Sequence, residues 1–172
     1  GTYTVYEAKA KDGYALDVAE NTVALTYQGQ EVSVFDEQID VTDAPTELRL
    51  AKVDSLDGET PIEGAVFRIW NDAGDFDETL TTDESGVIDL KYLKHGSYHL
   101  QEVAAAEGYV ISDVDEDGNA KTHDFEVNDQ GMATLDGDSM QAKLAIVVEN
   151  MPKTMGTTAA DGDGGTHEGQ AR

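Results

Sequence analysis

The segment Tyr98-His99-Leu100-Gln101-Glu102-Val103-Ala104-Ala105-Ala106-Glu107-Gly108-Tyr109 decides the fold. We predict it to be a β-strand, in which successive side chains point to opposite faces. Tyr98, Leu100 and Glu102 then share one face, and this apolar face carries a carboxylate toward the core. Because a buried carboxylate without a partner is costly, we expect other strands to supply groups that bind Glu102.

Two further strand-like runs each add a polar group to an apolar face. In residues 48–53, Lys52 lies on the same face as the two leucines that precede it. In residues 144–150, Asn150 lies on the same face as the aliphatic residues before it. We therefore predict that Lys52, Asn150 and Glu102 meet inside one core. The alternative is that each polar residue only marks the point where its strand leaves the core.

Five motifs, in this order along the chain, resemble the collagen-adhesin B-type (Cna-B, SpaA-like or prealbumin-like) domain of Gram-positive surface proteins and pilins. They are Lys52-Val53-Asp54, Pro61–Phe67, Thr81–Gly86, Tyr98–Tyr109 and Val148–Pro152. The fourth is similar to the family pattern Y-x-L-x-E-T-x-A-P-x-G-Y, with Val103 replacing the threonine and Ala106 the proline. The resemblance covers most of 46–152. It implies an all-β fold, an immunoglobulin-like or prealbumin-like β-sandwich of the Cna-B type, which the regular spacing of short strand signals also favours.

The resemblance also implies chemistry. Lys52 and Asn150 would form an intramolecular isopeptide bond autocatalytically, with Glu102 as the proton shuttle. Burial would favour the neutral, nucleophilic amine of Lys52, and a protonated Glu102 would hydrogen bond the carboxamide oxygen of Asn150. Ammonia would leave once, so we expect no cofactor and no enzymatic turnover. The alternative is a buried hydrogen-bond network of the same three residues.

Residues 1–45 repeat part of this pattern. At one constant offset, Tyr3, Glu7, Gly13 and Tyr14 match Tyr98, Glu102, Gly108 and Tyr109, and at a second offset Asp43 and Pro45 match Asn150 and Pro152. Such a repeat is typical of an array of sandwich modules. We predict that 1–45 is the C-terminal part of a preceding Cna-B-like module and that 46–152 is a complete module. Glu7 and Asp43 would be the partial-module counterparts of Glu102 and Asn150. Residues 1–45 contain no counterpart of Lys52.

The Gly-, Thr- and Asp-rich residues 153–172 are predicted to form a flexible linker that leads to a further, truncated module. Since the sequence starts inside a strand pattern, we expect it to be a fragment of a longer protein.

Composition excludes several classes of function. The chain has 36 acidic and 11 basic residues and a formal net charge of -25, which argues against nucleic-acid binding and against docking on anionic lipid. Cysteine is absent, so disulfides and thiolate metal sites are excluded. No run approaches the roughly 20 apolar residues of a membrane helix, so we expect no membrane insertion.

One acidic loop mimics a calcium site. Asp113, Asp115, Asp117 and Asp124 occupy positions typical of calcium ligands, with Gly118 at the turn. Ala120 stands where a β-branched residue is usual, an aspartate replaces the final glutamate, and no helices are predicted beside the loop. We therefore predict a solvated loop without metal.

The four histidines, His95, His99, His123 and His167, lack zinc-site spacing and are interpreted as surface residues.

These features together predict a structural stalk module of a Gram-positive cell-wall-anchored adhesin or pilin-like protein, located outside the cell at its surface. Its expected partners are the neighbouring modules of the same chain, since stacking is what tandem modules do. Two alternatives are a ligand-binding module for a host matrix protein or carbohydrate, and a substrate-binding domain attached to a surface hydrolase.

Overall fold

The structure is a computed structural model, which describes residues 1–27, 29–30, 37–130, 133–136 and 144–153. The predicted linker, apart from Lys153, lies outside these residues. In chain order the strands are β1 (Thr2–Val5), β2 (Asn21–Ala24), β3 (Glu47–Asp54), β4 (Val66–Asn71), β5 (Asp77–Thr81), β6 (Val87–Lys91), β7 (Gly96–Ala104), β8 (Tyr109–Ile111), β9 (Thr122–Val127), β10 (Ala133–Leu135) and β11 (Leu144–Pro152). The described ranges contain no helix long and apolar enough to cross a membrane.

Two sheets pack face to face, which confirms the predicted all-β sandwich. One sheet has the strand order β10-β9-β7-β4-β5, and the other has the order β6-β3-β11-β8. Strands β3 and β11 run parallel, with Val148 opposite Lys52. Parallel neighbours require a long crossover, and here the crossover includes most of residues 46–152. The first and last strands of that region therefore lie side by side.

The core lies between these two sheets and follows the period of two that the sequence predicts. Strand β7 buries Tyr98, Leu100 and Glu102 on one face. The ring of Tyr98 stacks on that of Phe125, with ring centroids 5.1 Å apart. Burial of each large apolar side chain contributes about 1.5–3 kcal/mol, so Tyr98, Leu100 and Phe125 each stabilise the sandwich by about this amount.

The segment Tyr98–Tyr109 differs in one respect from the prediction that it is a single strand. Strand β7 ends at Ala104 and β8 begins at Tyr109, and the two strands belong to different sheets. Gly108, with φ 85°, supplies the left-handed backbone of the intervening turn. Because the chain changes sheets here, β8 pairs with the end of β11, where Ile111 faces Asn150.

The amino-terminal residues repeat the backbone geometry of this turn. Gly13 has a φ of 85°, the value found between β7 and β8. Tyr14 pairs antiparallel with Pro45, as Tyr109 pairs with Pro152. The internal repeat is therefore structural as well as sequential, while the proposed domain boundaries stay a prediction.

Described residues of the amino-terminal repeat contact the sandwich through polar groups and through the rings of Tyr14 and Tyr92. The Thr46 hydroxyl donates to the Gly13 carbonyl at 3.2 Å, and the Leu16 N–H donates to the Asp129 carbonyl at 2.8 Å. The main apolar cluster, by contrast, draws its buried members from residues 48–148. The sandwich thus contains its own core.

Deleting residues 1–44 should leave a folded domain with a cooperative thermal transition, because the deletion leaves that core intact. The lost hydrogen bonds contribute about 0.5–1.5 kcal/mol each, so the melting temperature should fall by roughly 4–8 °C for each kcal/mol lost. Thermal melts followed by circular dichroism measure this. Loss of the cooperative transition would show that the boundary before Thr46 is misplaced.

Candidate functional site

Three strands place Lys52, Glu102 and Asn150 around one point in the core. Lys52 projects from β3 and Asn150 from β11, its parallel neighbour, while Glu102 projects from β7 in the opposite sheet. Their exposed fractions are 0%, 3% and 0%. The sequence predicts that these three side chains meet in the core, and the structure brings them together there.

The Glu102 carboxylate joins the other two side chains. The Lys52 ammonium donates to Glu102 Oε2 at 2.8 Å, and Asn150 Nδ2 donates to Glu102 Oε1 at 2.6 Å. Removing one member of a buried ion pair leaves an uncompensated charge and costs about 3–5 kcal/mol. Each of the three residues therefore depends on the other two.

The orientation of Asn150 differs from the expectation that Glu102 faces its carboxamide oxygen. The amide nitrogen points to Glu102, while Oδ1 accepts the backbone N–H of Ser112 at 3.3 Å. This follows from the pairing of β8 with β11, because Ser112 comes directly after β8. Sequence reasoning missed Ser112, because its contribution is a main-chain group that no residue pattern marks.

Burial governs the charge of Lys52. Desolvation by burial is the largest influence and lowers the pKa of Lys52, although the hydrogen bond that Lys52 donates to Glu102 acts in the opposite direction. The ammonium lies 5.6 Å from the centroid of the Phe67 ring. Compared with a solvent-exposed lysine, this amine therefore loses its proton more readily.

A glycine turn holds the backbone of Lys52. The Lys52 N–H donates to the Gly86 carbonyl at 2.7 Å, and the Lys52 carbonyl accepts the Ile62 N–H at 2.9 Å. Gly86 has φ 71°, and a Cβ there would lie 2.7 Å from the Lys52 carbonyl oxygen. The Thr81–Gly86 motif therefore needs glycine both for its backbone conformation and for this close approach.

The partial-module counterparts Glu7 and Asp43 line one cleft of about 260 Å³, here named the Glu7 cleft. Its lining includes Val5, Glu7, Asp17, Asn21, Val41 and Asp43. Glu7 Oε2 accepts the Asp17 backbone N–H at 2.8 Å. Asp17 corresponds to Ser112 in the repeat, so the same main-chain donor points toward both sites. None of the described residues that line the cleft is a lysine.

The acidic loop uses its aspartates in separate interactions. Asp115 accepts the backbone N–H groups of Asp117 and Asn119 at 3.0 and 2.9 Å, which closes a tight turn. Asp113 and Asp124 instead contact different histidines. Within the described ranges, no group of three or more His, Cys, Asp or Glu residues is arranged to hold a metal ion.

His99 lies between two aspartates. Its Nδ1 is 2.6 Å from Asp124, and its Nε2 is 2.6 Å from Asp72. The hydrogen bonds with Asp72 and then Asp124 raise the pKa of His99 above its ordinary value. Sequence reasoning missed these partners, because strand pairing and a distant turn bring them together.

His123 has the same arrangement and is more enclosed. Its Nε2 is 2.5 Å from Asp113 and its Nδ1 is 2.6 Å from Asp136. Burial opposes the charged imidazole, yet the two aspartates outweigh it and raise the pKa of His123. Its side chain is only 13% exposed, so the interpretation of all four histidines as surface residues is wrong for this one. His167 lies outside the described residues.

Comparison with known proteins gives the following matches. A family model described as SpaA, a prealbumin-like fold domain, matches residues 46–139. The Bacillus anthracis TIE protein is 28% identical with a TM-score of 0.50, over 88% of this chain and 25% of that one. The group B streptococcus pilus 2b backbone protein is 23% identical with a TM-score of 0.48, over 78% and 48%. This chain thus spans 25% and 48% of the lengths of these two proteins. No curated protein matches the chain.

Replacing His123 with glutamine should destabilise the domain more at about pH 5.5 than at about pH 8.5. Because the pKa of His123 is raised on folding, its contribution is fully present below the unfolded pKa and is lost as the pH rises through the folded pKa. Thermal melts at the two pH values measure the difference. His95→Gln is the control, since His95 contacts the Tyr14 carbonyl and, among the described residues, no carboxylate is paired with its ring. Equal losses at both pH values would contradict the assignment.

Millimolar calcium should leave the melting temperature unchanged relative to magnesium, because the aspartates of the acidic loop are engaged in separate contacts. A site that binds calcium in the folded state would raise the melting temperature by mass action. Differential scanning fluorimetry with each cation distinguishes the two cases. A rise of many degrees that is specific to calcium would show that Asp113, Asp115, Asp117 and Asp124 form a metal site.

Proposed function

The chain belongs to the SpaA prealbumin-like domain family, and on that premise we propose that residues 46–152 form a structural stalk module of a Gram-positive cell-surface adhesin or pilin-like protein. An intramolecular isopeptide bond between Lys52 and Asn150 would stabilise the module. The observation that carries this proposal is the shared carboxylate of Glu102, which contacts the amine of Lys52 through one oxygen and the amide nitrogen of Asn150 through the other.

This arrangement suits a proton shuttle. Lys52 passes one proton to Glu102, which leaves a neutral amine beside a neutral acid, and the lowered pKa of Lys52 favours that transfer. The amine Nζ then attacks the carboxamide carbon of Asn150, and negative charge develops on Oδ1. The Ser112 N–H, 3.3 Å from Oδ1, is positioned to stabilise that charge.

Collapse of the intermediate completes the reaction. Glu102 delivers its proton to Nδ2 of Asn150 and receives a proton from Nζ, so it ends the step protonated as it began. The bond between the carboxamide carbon and Nδ2 breaks, the bond to Nζ is retained, and ammonia leaves. The reaction requires placement of groups more than strong reagents. It runs once per chain, so the module is not an enzyme with turnover.

The bond would have thermodynamic and mechanical effects. By analogy with a disulfide, closing a loop of about 100 residues restrains the unfolded chain by about 4.7 kcal/mol. Lys52 lies near the end of β3 and Asn150 near the end of β11, and these strands are adjacent and parallel. Tension that enters along β3 and leaves along β11 would pass through the covalent bond and bypass the strands between them.

A module of this kind acts outside the cell, as part of a longer surface protein. Its partners are the neighbouring modules of the same chain, and the structural repeat in residues 1–45 supports a tandem arrangement. The chain contains no cysteine, so an amide cross-link would supply covalent stabilisation without disulfide chemistry.

Intact-mass measurement of the denatured full chain should give a value lighter than the sequence mass by one ammonia. Peptide fragmentation should join the peptide of Lys52 to that of Asn150. Glu102→Gln should abolish the loss, because glutamine keeps the volume of the side chain but transfers no proton. Lys52→Met and Asn150→Ala should abolish it by removing a reacting group.

Glu149→Gln is the matched control, because Glu149 is an exposed acid beside Asn150, and this variant should retain the ammonia loss. A wild-type chain at full sequence mass after prolonged incubation would refute the isopeptide bond and leave a buried polar network. Since that result comes from the wild type, it does not depend on whether any variant folds.

A further inference from the structure

The imidazole of His123 lies beside the groups that hold Asn150. On strand β9, His123 alternates with exposed residues and shares a face with the buried Phe125, so it points toward the opposite sheet. It lines a cleft of about 350 Å³ together with Ser112, Asp113 and part of β11. The cleft is therefore bounded both by the residue that donates to Asn150 and by the strand that carries Asn150.

Ser112 connects this cleft to the site of the proposed reaction. Its N–H donates to Oδ1 of Asn150 at 3.3 Å, and its hydroxyl donates to the Glu149 carbonyl at 3.0 Å. The N–H contact is at the long end of the range for a hydrogen bond. Its strength therefore depends on how firmly the segment after β8 is held in place, and the next residue in that segment is Asp113.

Asp113 is tied to β9 through its backbone and its side chain. Its carbonyl accepts the Lys121 N–H at 2.9 Å, and its Oδ2 lies 2.5 Å from Nε2 of His123. The other ring nitrogen of His123, Nδ1, lies 2.6 Å from Asp136. Two hydrogen bonds fix Asp136 in turn to the backbone of Asp124. The imidazole thus links a carboxylate that β9 holds to the segment after β8.

This link requires the charged imidazole of His123. An imidazolium donates from both nitrogens, whereas a neutral imidazole donates from one and leaves the other facing a carboxylate. Opposite His123 on β7 is the uncharged Leu100. Charged groups around the imidazole in the described part of the chain are Asp113, Asp136, Lys121, Glu149 and the Lys52–Glu102 pair. The charged form is present below the raised folded-state pKa of His123 and is lost as the pH rises through it.

Asp113 also acts on Lys52. Burial lowers the pKa of Lys52, and the negative charge of Asp113 is among the influences that oppose this lowering. The imidazolium of His123 offsets that negative charge. Loss of the charged imidazole would therefore have two effects in one direction, since it loosens the segment that carries Ser112 and favours the unreactive ammonium of Lys52.

We propose that His123 is a positioning residue for the reaction between Lys52 and Asn150. In its charged form it holds Asp113, and through Asp113 the Ser112 N–H, against Oδ1 of Asn150. This inference rests on the proposed isopeptide bond. The proton that the lysine gives to the shared carboxylate stays inside the site, so that transfer alone makes the rate independent of pH. With His123 as the positioning residue, the rate is highest in mildly acidic solution and falls as the imidazole loses its proton.

The rate of ammonia loss as a function of pH tests this proposal. The full chain is assembled by chemical ligation in denaturant, so that Lys52 and Asn150 are unreacted when dilution starts folding. Circular dichroism follows folding, and intact mass at timed intervals follows the reaction. The wild-type rate should fall about tenfold between about pH 5.5 and about pH 9, as expected for titration of a histidine.

His123→Gln should react about tenfold more slowly than the wild type at about pH 5.5, and its rate should not depend on pH. Complete loss of an oxyanion donor costs roughly 100-fold or more, and here the Ser112 N–H is displaced and not removed. His99→Gln is the matched control, because His99 also bridges two aspartates but lies on the face of β7 opposite to Glu102. This variant should keep the wild-type rate and pH profile.

Hydrogen exchange of the Ser112 N–H, measured by NMR after the reaction is complete, reads the positioning separately from the rate. Its protection should fall severalfold in His123→Gln and stay unchanged in His99→Gln. Unchanged protection in His123→Gln would overturn the proposal, as would a wild-type rate that does not depend on pH. Ammonia loss that is insensitive to His123→Gln would refute this role alone. A wild-type chain that folds but never loses ammonia would refute the proposed bond and this role together.

Discussion

The burial of the Glu102 carboxylate is the constraint on which the rest of the sandwich depends. A carboxylate in an apolar layer is tolerated only when it is paired and fully hydrogen bonded. Lys52 and Asn150 meet that requirement from two adjacent strands of the opposite sheet. Among the described residues, no buried side-chain nitrogen or oxygen is left without a hydrogen-bond partner. The three polar groups therefore connect the sheets at one defined register, which apolar packing alone specifies less strictly.

That requirement explains two features of the topology. Lys52 and Asn150 reach the same carboxylate because β3 and β11 are parallel neighbours, so their inward faces align near the same end. The Asn150 carboxamide is oriented because the chain changes sheets after β7 and brings the Ser112 N–H to its oxygen. A glycine in the left-handed region makes each supporting turn: Gly86 beside Lys52, and Gly108 before β8. The turn glycines thus contribute to the site although they supply no side chain.

The internal repeat provides a comparison within one chain. The same turn geometry and the same main-chain donor occur at Gly13 and Asp17 as at Gly108 and Ser112. What differs is the layer that covers them, since the sandwich encloses Glu102 whereas Glu7 remains in an open cleft. Similar backbone geometry in an enclosed and an open setting indicates that the turn is locally encoded, while burial of the acid depends on distant strands.

The sequence by itself determined the all-β class, the faces of the main strands and the identity of the three polar residues that meet around Glu102. These follow from the period of two in side-chain direction, which is a local property that short patterns such as Leu48-x-Leu50-x-Lys52 express directly. The internal repeat was also recognisable from the sequence, because matching residues recur at constant offsets. Only the tertiary structure decided that Tyr98–Tyr109 divides between two sheets, that the Asn150 amide faces Glu102, and that His99 and His123 each lie between two aspartates. Those features depend on contacts between residues far apart in sequence, and no local sequence pattern predicts them.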